Sequence, residues 1–216
     1  MKKSSVAFCF VVLLLSLVPG NGCHAGEEAL YGPRAPAGSA FVRLFNATAS
    51  AGVEARLSEL VLRADRAYGA SAYGFLVPGR KTLRAGGHTL NMILAADRSY
   101  TAVLLPDRLV LVEDPVLRDR KKAWLVFYNL TGSDRLSLRT GRKKRTVFRQ
   151  TAAMTCAARG VNPVQVELDV YDGETLFARA PQIALGRGRM FSLFVCGDRN
   201  APVAVWVENS VRRGQG

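Results

Sequence analysis

Short runs of β-branched and aromatic residues recur about every 10 residues through most of this chain, parted by Gly, Asn, Asp and Pro. That spacing leaves an all-β sandwich or barrel as the architecture that fits. The strands are expected at 40–45, 53–57, 73–77, 81–85, 88–94, 99–105 and 109–113, then at 122–128, 135–138, 146–155, 164–171, 174–177, 182–185, 189–196 and 204–207. A 3-4 spacing of apolar residues occurs at Leu57, Leu60, Val61 and Ala64, and allows either one short helix or a strand and turn.

The pattern is written twice. Phe41-Val42-Arg43-Leu44-Phe45-Asn46-Ala47-Thr48 matches Trp124-Leu125-Val126-Phe127-Tyr128-Asn129-Leu130-Thr131 in its aromatic start, aromatic end and closing Asn-x-Thr. Arg98-Ser99-Tyr100-Thr101 and the apolar residues after it resemble Arg189-Met190-Phe191-Ser192 and its continuation in having a basic residue followed by an apolar strand. Two tandem β-sandwich domains follow, at 26–115 and 123–216, with a charged linker at 116–122 immediately after Pro115. Each is large enough to bury roughly 60% of its chain surface. Asn46 and Asn129 close equivalent strands and read as turn residues, since Asn tolerates a left-handed backbone.

Residues 1–25 read as a cleaved secretory signal: Lys2 and Lys3, an apolar run too short to span a bilayer comfortably, then small residues. Cys23 lacks the preceding Leu of a lipidation box, having Gly20 three residues before it, so cleavage is placed after Ala25. The mature chain is expected to be periplasmic, without a membrane span. Cys156 and Cys196 are then its only thiols, and in an oxidising compartment they are expected to pair, closing a loop worth roughly 4 kcal/mol.

The composition carries 30 Lys and Arg against 17 Asp and Glu, a formal charge of +13, of which the leader holds only Lys2 and Lys3. Export argues against nucleic acid and leaves acidic polysaccharide, anionic lipid or an acidic protein as the partner of the basic runs. One run is Arg118, Arg120, Lys121 and Lys122; the candidate polyanion contact is the other, Arg139, Arg142, Lys143, Lys144, Arg145 and Arg149. Catalytic chemistry has little to work with. His88 is the one histidine outside the leader and follows Gly86-Gly87 in a hairpin turn, and no Gly-x-Ser-x-Gly or Gly-Asp-Ser motif occurs. Gly186-Arg187-Gly188-Arg189 is a basic turn without the features of a phosphate loop. No catalytic, metal or cofactor residues are assigned.

The segments Ala29-Leu30-Tyr31-Gly32-Pro33, Ala35-Pro36-Ala37-Gly38-Ser39 and Phe41-Val42-Arg43 resemble the mature N-terminus of the AlgF family, accessory proteins of alginate O-acetylation. The second half agrees at Val161-Asn162-Pro163-Val164-Gln165-Val166, Val170-Tyr171-Asp172-Gly173, Pro202-Val203 and Trp206-Val207. The resemblance spans the mature chain. It implies two β-sandwiches and a non-catalytic adaptor that contacts SGNH-type acetylation proteins, with Tyr31, Gly32, Pro33, Asn162, Pro163 and Val164 as the candidate partner interface. The thiol pair and the heavy basic loading depart from the family pattern, and leave two alternatives: acetylation of another exopolysaccharide such as cellulose, or a stand-alone module binding acidic polysaccharide.

Overall fold

The structure is a computed structural model that describes residues 35–116, 121–141 and 145–210. The expected signal and Cys23, Tyr31-Gly32-Pro33, Arg118 and Arg120 of the linker, and Arg142, Lys143 and Lys144 lie outside the described residues. The described residues fall within one compact unit, Arg34–Arg213.

Every regular element among the described residues is a strand. The first half forms β1 (Ala40–Asn46), β2 (Val53–Leu57), β3 (Leu60–Ala64), β4 (Gly74–Leu76), β5 (Gly79–Ala85), β6 (His88–Leu94), β7 (Ser99–Leu104) and β8 (Leu109–Glu113). The second half forms β9 (Ala123–Asn129), β10 (Leu136–Thr140), β11 (Thr146–Thr151), β12 (Thr155–Val161), β13 (Val164–Asp172), β14 (Thr175–Leu185), β15 (Met190–Cys196) and β16 (Val203–Glu208).

The repeat seen in the sequence is a repeat of topology. Sheets ordered β3-β2-β5-β6 and β4-β1-β7-β8 make the first sandwich; β11-β10-β13-β14 and β12-β9-β15-β16 make the second. Strand by strand the two orders are the same, including a central parallel pair, β1 with β7 and β9 with β15, in otherwise antiparallel sheets. The register aligns Thr101 with Ser192, because Arg43 faces Thr101 as Val126 faces Ser192.

Three large cores explain most of the burial, with a smaller cluster around Ala123, Leu185 and Phe191. One lies inside the first sandwich around Leu44, Leu57, Leu83 and Leu94, and a second inside the other around Phe127, Leu138, Val170 and Leu193. The third lies between the sandwiches, where Phe45, Val103 and Val112 meet Val126, Tyr128 and Phe194. The sheets containing β1 and β9 are therefore covered on both faces, so β1, β7, β9 and β15 read as nearly unbroken apolar runs. The outer strands β5 and β6 alternate, since one of their faces meets water. Each fully buried Leu or Phe contributes about 1.5–3 kcal/mol.

Several strand expectations are revised. Of the two readings open at Leu57, Leu60, Val61 and Ala64, strand and turn holds: they lie in the β2–β3 hairpin, Ser58 turning the chain at φ 52°. The run expected at 146–155 breaks after Thr151, and β12 continues in a different sheet from β11. The runs at 174–177 and 182–185 are one strand, β14; Pro181 is tolerated there because β14 is an edge strand. Gly86 and Gly87, at φ 55° and 80°, supply the tight turn that places His88 at the start of β6.

The expected disulfide is absent. Cys156 and Cys196 are free, and β9 runs between their strands β12 and β15. Two strand spacings, about 10 Å, exceed the roughly 7 Å a disulfide can bridge. Both thiols instead pack in the core between the sandwiches, where burial pushes each up to about 12.

Candidate functional site

A charged residue inside the apolar run 40–46 sets the chemistry of the junction. β1 alternates its side chains between the first core and the core between sandwiches, and Arg43 falls on the latter face with none of its surface exposed. An isolated guanidinium there would be costly, yet each of its nitrogens finds an acceptor. Nε donates to Thr101 Oγ1 at 2.9 Å and Nη1 to Asn209 Oδ1 at 2.9 Å; Nη2 donates to Tyr128 OH and Ser192 Oγ, both at 3.0 Å. The plane also lies over the rings of Tyr73, Phe194 and Tyr128, at 4.7, 5.0 and 5.5 Å.

The counter-charge is Asp114, just past β8. Its Oδ1 accepts from Tyr128 OH at 2.7 Å and Thr101 Oγ1 at 2.8 Å, and its Oδ2 accepts from Tyr73 OH at 2.7 Å. Thr101 and Tyr128 thus relay between cation and carboxylate. Burial pushes the Tyr73 and Tyr128 phenols above their ordinary range; Asp114 adds to the shift and Arg43 opposes it. Burial alone would lower Arg43, and the surrounding Tyr73, Tyr128 and Asp114 oxygens more than offset it.

The cluster joins equivalent positions of the two repeats. Asp114 N donates to Ser99 O as Asn209 N donates to Met190 O, so Asp114 and Asn209 correspond, as Thr101 and Ser192 do. One arginine reads both pairs. Tyr73 N also donates to Ser210 O, tying the end of the chain's second half to the first. With Arg43, Thr101, Tyr128 and Ser192 fully buried, the arrangement is suited to locking the sandwiches together and not to receiving a substrate.

The two Asn-x-Thr elements do equivalent work. Asn46 Nδ2 donates to Ser50 O and Arg66 O, and Asn129 Nδ2 to Ser133 O and Thr151 O; each Oδ1 accepts from the Thr two residues on. They are turn residues, as expected, but by side-chain bonding; neither has a left-handed backbone.

The surface candidates are dispersed. Asn162 and Pro163 form the exposed turn from β12 to β13, and Val164 lines an open groove of about 620 Å³ with Thr140, Gly141, Arg145 and Glu167. One candidate polyanion contact and one candidate interface residue therefore share a groove. Arg149 is exposed elsewhere on β11. Arg139 is already engaged, donating to both Glu174 oxygens at 2.8 and 2.9 Å with its plane 4.6 Å over the Tyr171 ring. Among the described residues no group of three or more His, Cys, Asp or Glu is placed to hold a metal. Arg43, Asp114 and Asn209 were not singled out from sequence; the available signal was a cation where the second copy has Val126.

The family model described as "Alginate O-acetyl transferase AlgF" matches residues 12–192. The alginate biosynthesis protein AlgF of Pseudomonas putida is 35% identical over 211 residues, covering 97% of each chain. That of Pseudomonas aeruginosa is 34% identical over 196 residues, covering 90% of each. Among solved structures, the C-terminal domain of AlgF from P. aeruginosa is 31% identical and covers 41% of this chain and 99% of its own, with TM-score 0.37. The N-terminal domain of the same protein is 32% identical and covers 38% of this chain and 100% of its own, with TM-score 0.33.

Proposed function

The chain belongs to the AlgF family, and from that premise we propose that within alginate O-acetylation it is a non-catalytic periplasmic adaptor for SGNH-type acetylation proteins. The observation that carries the reading is the junction. Arg43, Tyr73 and Tyr128, whose ionisation the buried junction shifts, are spent on fixing two sandwiches against each other. Such a body presents two outer sheets and their end loops in a fixed relation, which is what a protein needs to hold two partners at one polymer. His88 and the free thiols supply no competing constellation: His88 begins a hairpin strand, and both thiols sit in the core with their ionisation pushed up to about 12. The groove beside Val164 and Arg145, next to the exposed Asn162-Pro163 turn, is the surface at which a partner is expected.

The test is capture from periplasmic extract of the native host with the tagged mature protein. An SGNH-type acetylation protein is expected among the captured proteins, and is expected to be lost when Asn162, Pro163 and Val164 are replaced together in a variant that keeps its melting temperature. Capture of no partner, with salt-sensitive binding to alginate by the isolated protein, would replace the adaptor with a polymer-binding module.

A further inference from the structure

The outer sheet of the first sandwich has one face on its core and one in water. The outward positions of β2, β3, β5 and β6 are Glu54, Arg56, Val61, Arg63, Arg80, Thr82, Arg84, Thr89, Asn91 and Ile93, the alternation being fixed by buried Ala55, Leu62, Leu83 and Met92. Four of these are arginines, and Glu54 is the only acid within the four strands. Glu54 is shared between Arg56 at 2.9 Å and Arg63 at 3.1 Å. Among the described residues Arg80 and Arg84 have no carboxylate partner. Arg56 and Arg84 are direct cross-strand partners, an arrangement of like charges that destabilises a sheet.

The corresponding face of the second sandwich is built otherwise. There Asp169 stands between Arg139 and Arg179 in the register, and Arg139 also holds Glu174. Two sheets of the same topology thus differ in charge: one is interleaved, the other is basic with a like-charge pair at its centre.

Apolar exposure marks the same place. Val77 and Ile93, 74% and 69% exposed, are the two most exposed large aliphatic residues among those described. Ile93 is the cross-strand partner of Arg80, and Val77 lies two residues before β5. The face carries no aromatic ring on which a sugar could stack, so a hydrophilic uronate would use the arginines and leave the aliphatic corner without a purpose. A bilayer surface uses both, with anionic phosphates for the arginines and the headgroup boundary for the aliphatics.

We infer that the outward face of β3-β2-β5-β6 is a peripheral docking surface for an anionic phospholipid membrane, with Arg56, Arg63, Arg80 and Arg84 binding headgroups and Val77 and Ile93 entering the interface. The test is sedimentation of the chain beginning at Gly26, which keeps the compact unit and omits the apolar leader, with vesicles of phosphatidylcholine alone or mixed equally with phosphatidylglycerol. Binding is expected to the mixed vesicles only and to weaken with salt. Arg80→Glu with Arg84→Glu is expected to weaken it roughly 25-fold or more, about five-fold for each arginine lost before the added acids count. The same change of charge on the second sandwich, Arg149→Glu with Arg187→Glu, is expected to leave most of the binding intact. Val77→Ser with Ile93→Ser is expected to weaken binding without altering its salt response.

Equal losses in the two double-charge variants would overturn the assignment, as would absence of binding to the mixed vesicles. Retention on alginate that Arg80→Glu/Arg84→Glu abolishes, without vesicle binding, would assign the face to an acidic polymer instead. Vesicle binding can fail while capture of acetylation proteins succeeds, so the fate of the adaptor reading is read separately.

Discussion

The two sandwiches share a strand order, a parallel central pair and an Asn-x-Thr lock, yet at one inward position of the first central strand they differ in charge: Arg43 in one, Val126 in the other. The difference teaches how a repeat becomes a single body. Were both positions apolar, the sheets would still pack through Phe45, Tyr128 and Phe194, whose rings stack at 3.8 and 4.4 Å. Such contacts are non-directional. Were both arginine, two guanidinium groups would be buried together with one carboxylate. A single arginine reaching Thr101 on one side and Ser192 and Asn209 on the other fixes relative position, because hydrogen bonds are directional where apolar contact is not.

The sharpest way to break this comparison is Arg43→Met set against Val126→Met. The first leaves the Asp114 carboxylate buried without its cation and is expected to cost about 3–5 kcal/mol in urea titration. The second only overpacks and should cost about 1–3 kcal/mol. Adding Asp114→Asn to Arg43→Met should recover part of the loss, since the two sites belong to one network. Equal costs for the two methionine variants would mean that apolar packing alone holds the junction.

A smaller effect tests where the repeats are alike. Asn46→Ala and Asn129→Ala each strip two backbone carbonyls of a donor, and each is expected to cost about 1–3 kcal/mol. Near-equal values would confirm the lock as a shared device. A loss confined to one sandwich would show that the repeats have diverged in energetics while keeping geometry.

A further difference concerns thiols, which the second sandwich has and residues 35–116 lack. Folded, Cys156 and Cys196 keep their protons to about 12 against an ordinary 9.0. Their folded values are raised, so the stability they contribute is intact below about pH 9 and is lost as pH rises toward 12. The limiting slope is about 1.4 kcal/mol per pH unit for each group, and Tyr73 and Tyr128 add to it at higher pH. Stability measured against pH should show this decline, and Cys156→Ser with Cys196→Ala should flatten its onset. Thiol titration in denaturant should find both sulfhydryls reactive; finding neither would restore the disulfide.

Much of the fold was legible because strand periodicity and turn residues are local signals. Strands β2, β6 and β8 fall at their expected bounds, and the repeat drawn from Phe41–Thr48 and Trp124–Thr131 is the repeat of topology. The sequence left open, or misread, places where a local signal has two readings. Leu57, Leu60, Val61 and Ala64 satisfy a helix or a hairpin equally, and Pro181 reads as a break until β14 is known to be an edge. The surface residues were legible as charge and not as arrangement: Arg139 belongs to a basic run in the sequence but to Glu174 and Tyr171 in space.

The sequence by itself determined an all-β chain in two copies, with most of its strand positions and its turn asparagines, since each follows from residues within a few positions of one another. Only the tertiary structure decided that Cys156 and Cys196 stand on either side of β9, that Arg43 binds Thr101, Ser192 and Asn209 together, and that Arg56 faces Arg84 across a sheet. Those relations join residues far apart in the chain. Which of them meet is set by sheet order and by the stacking of layers, and a pattern read along one strand does not contain either.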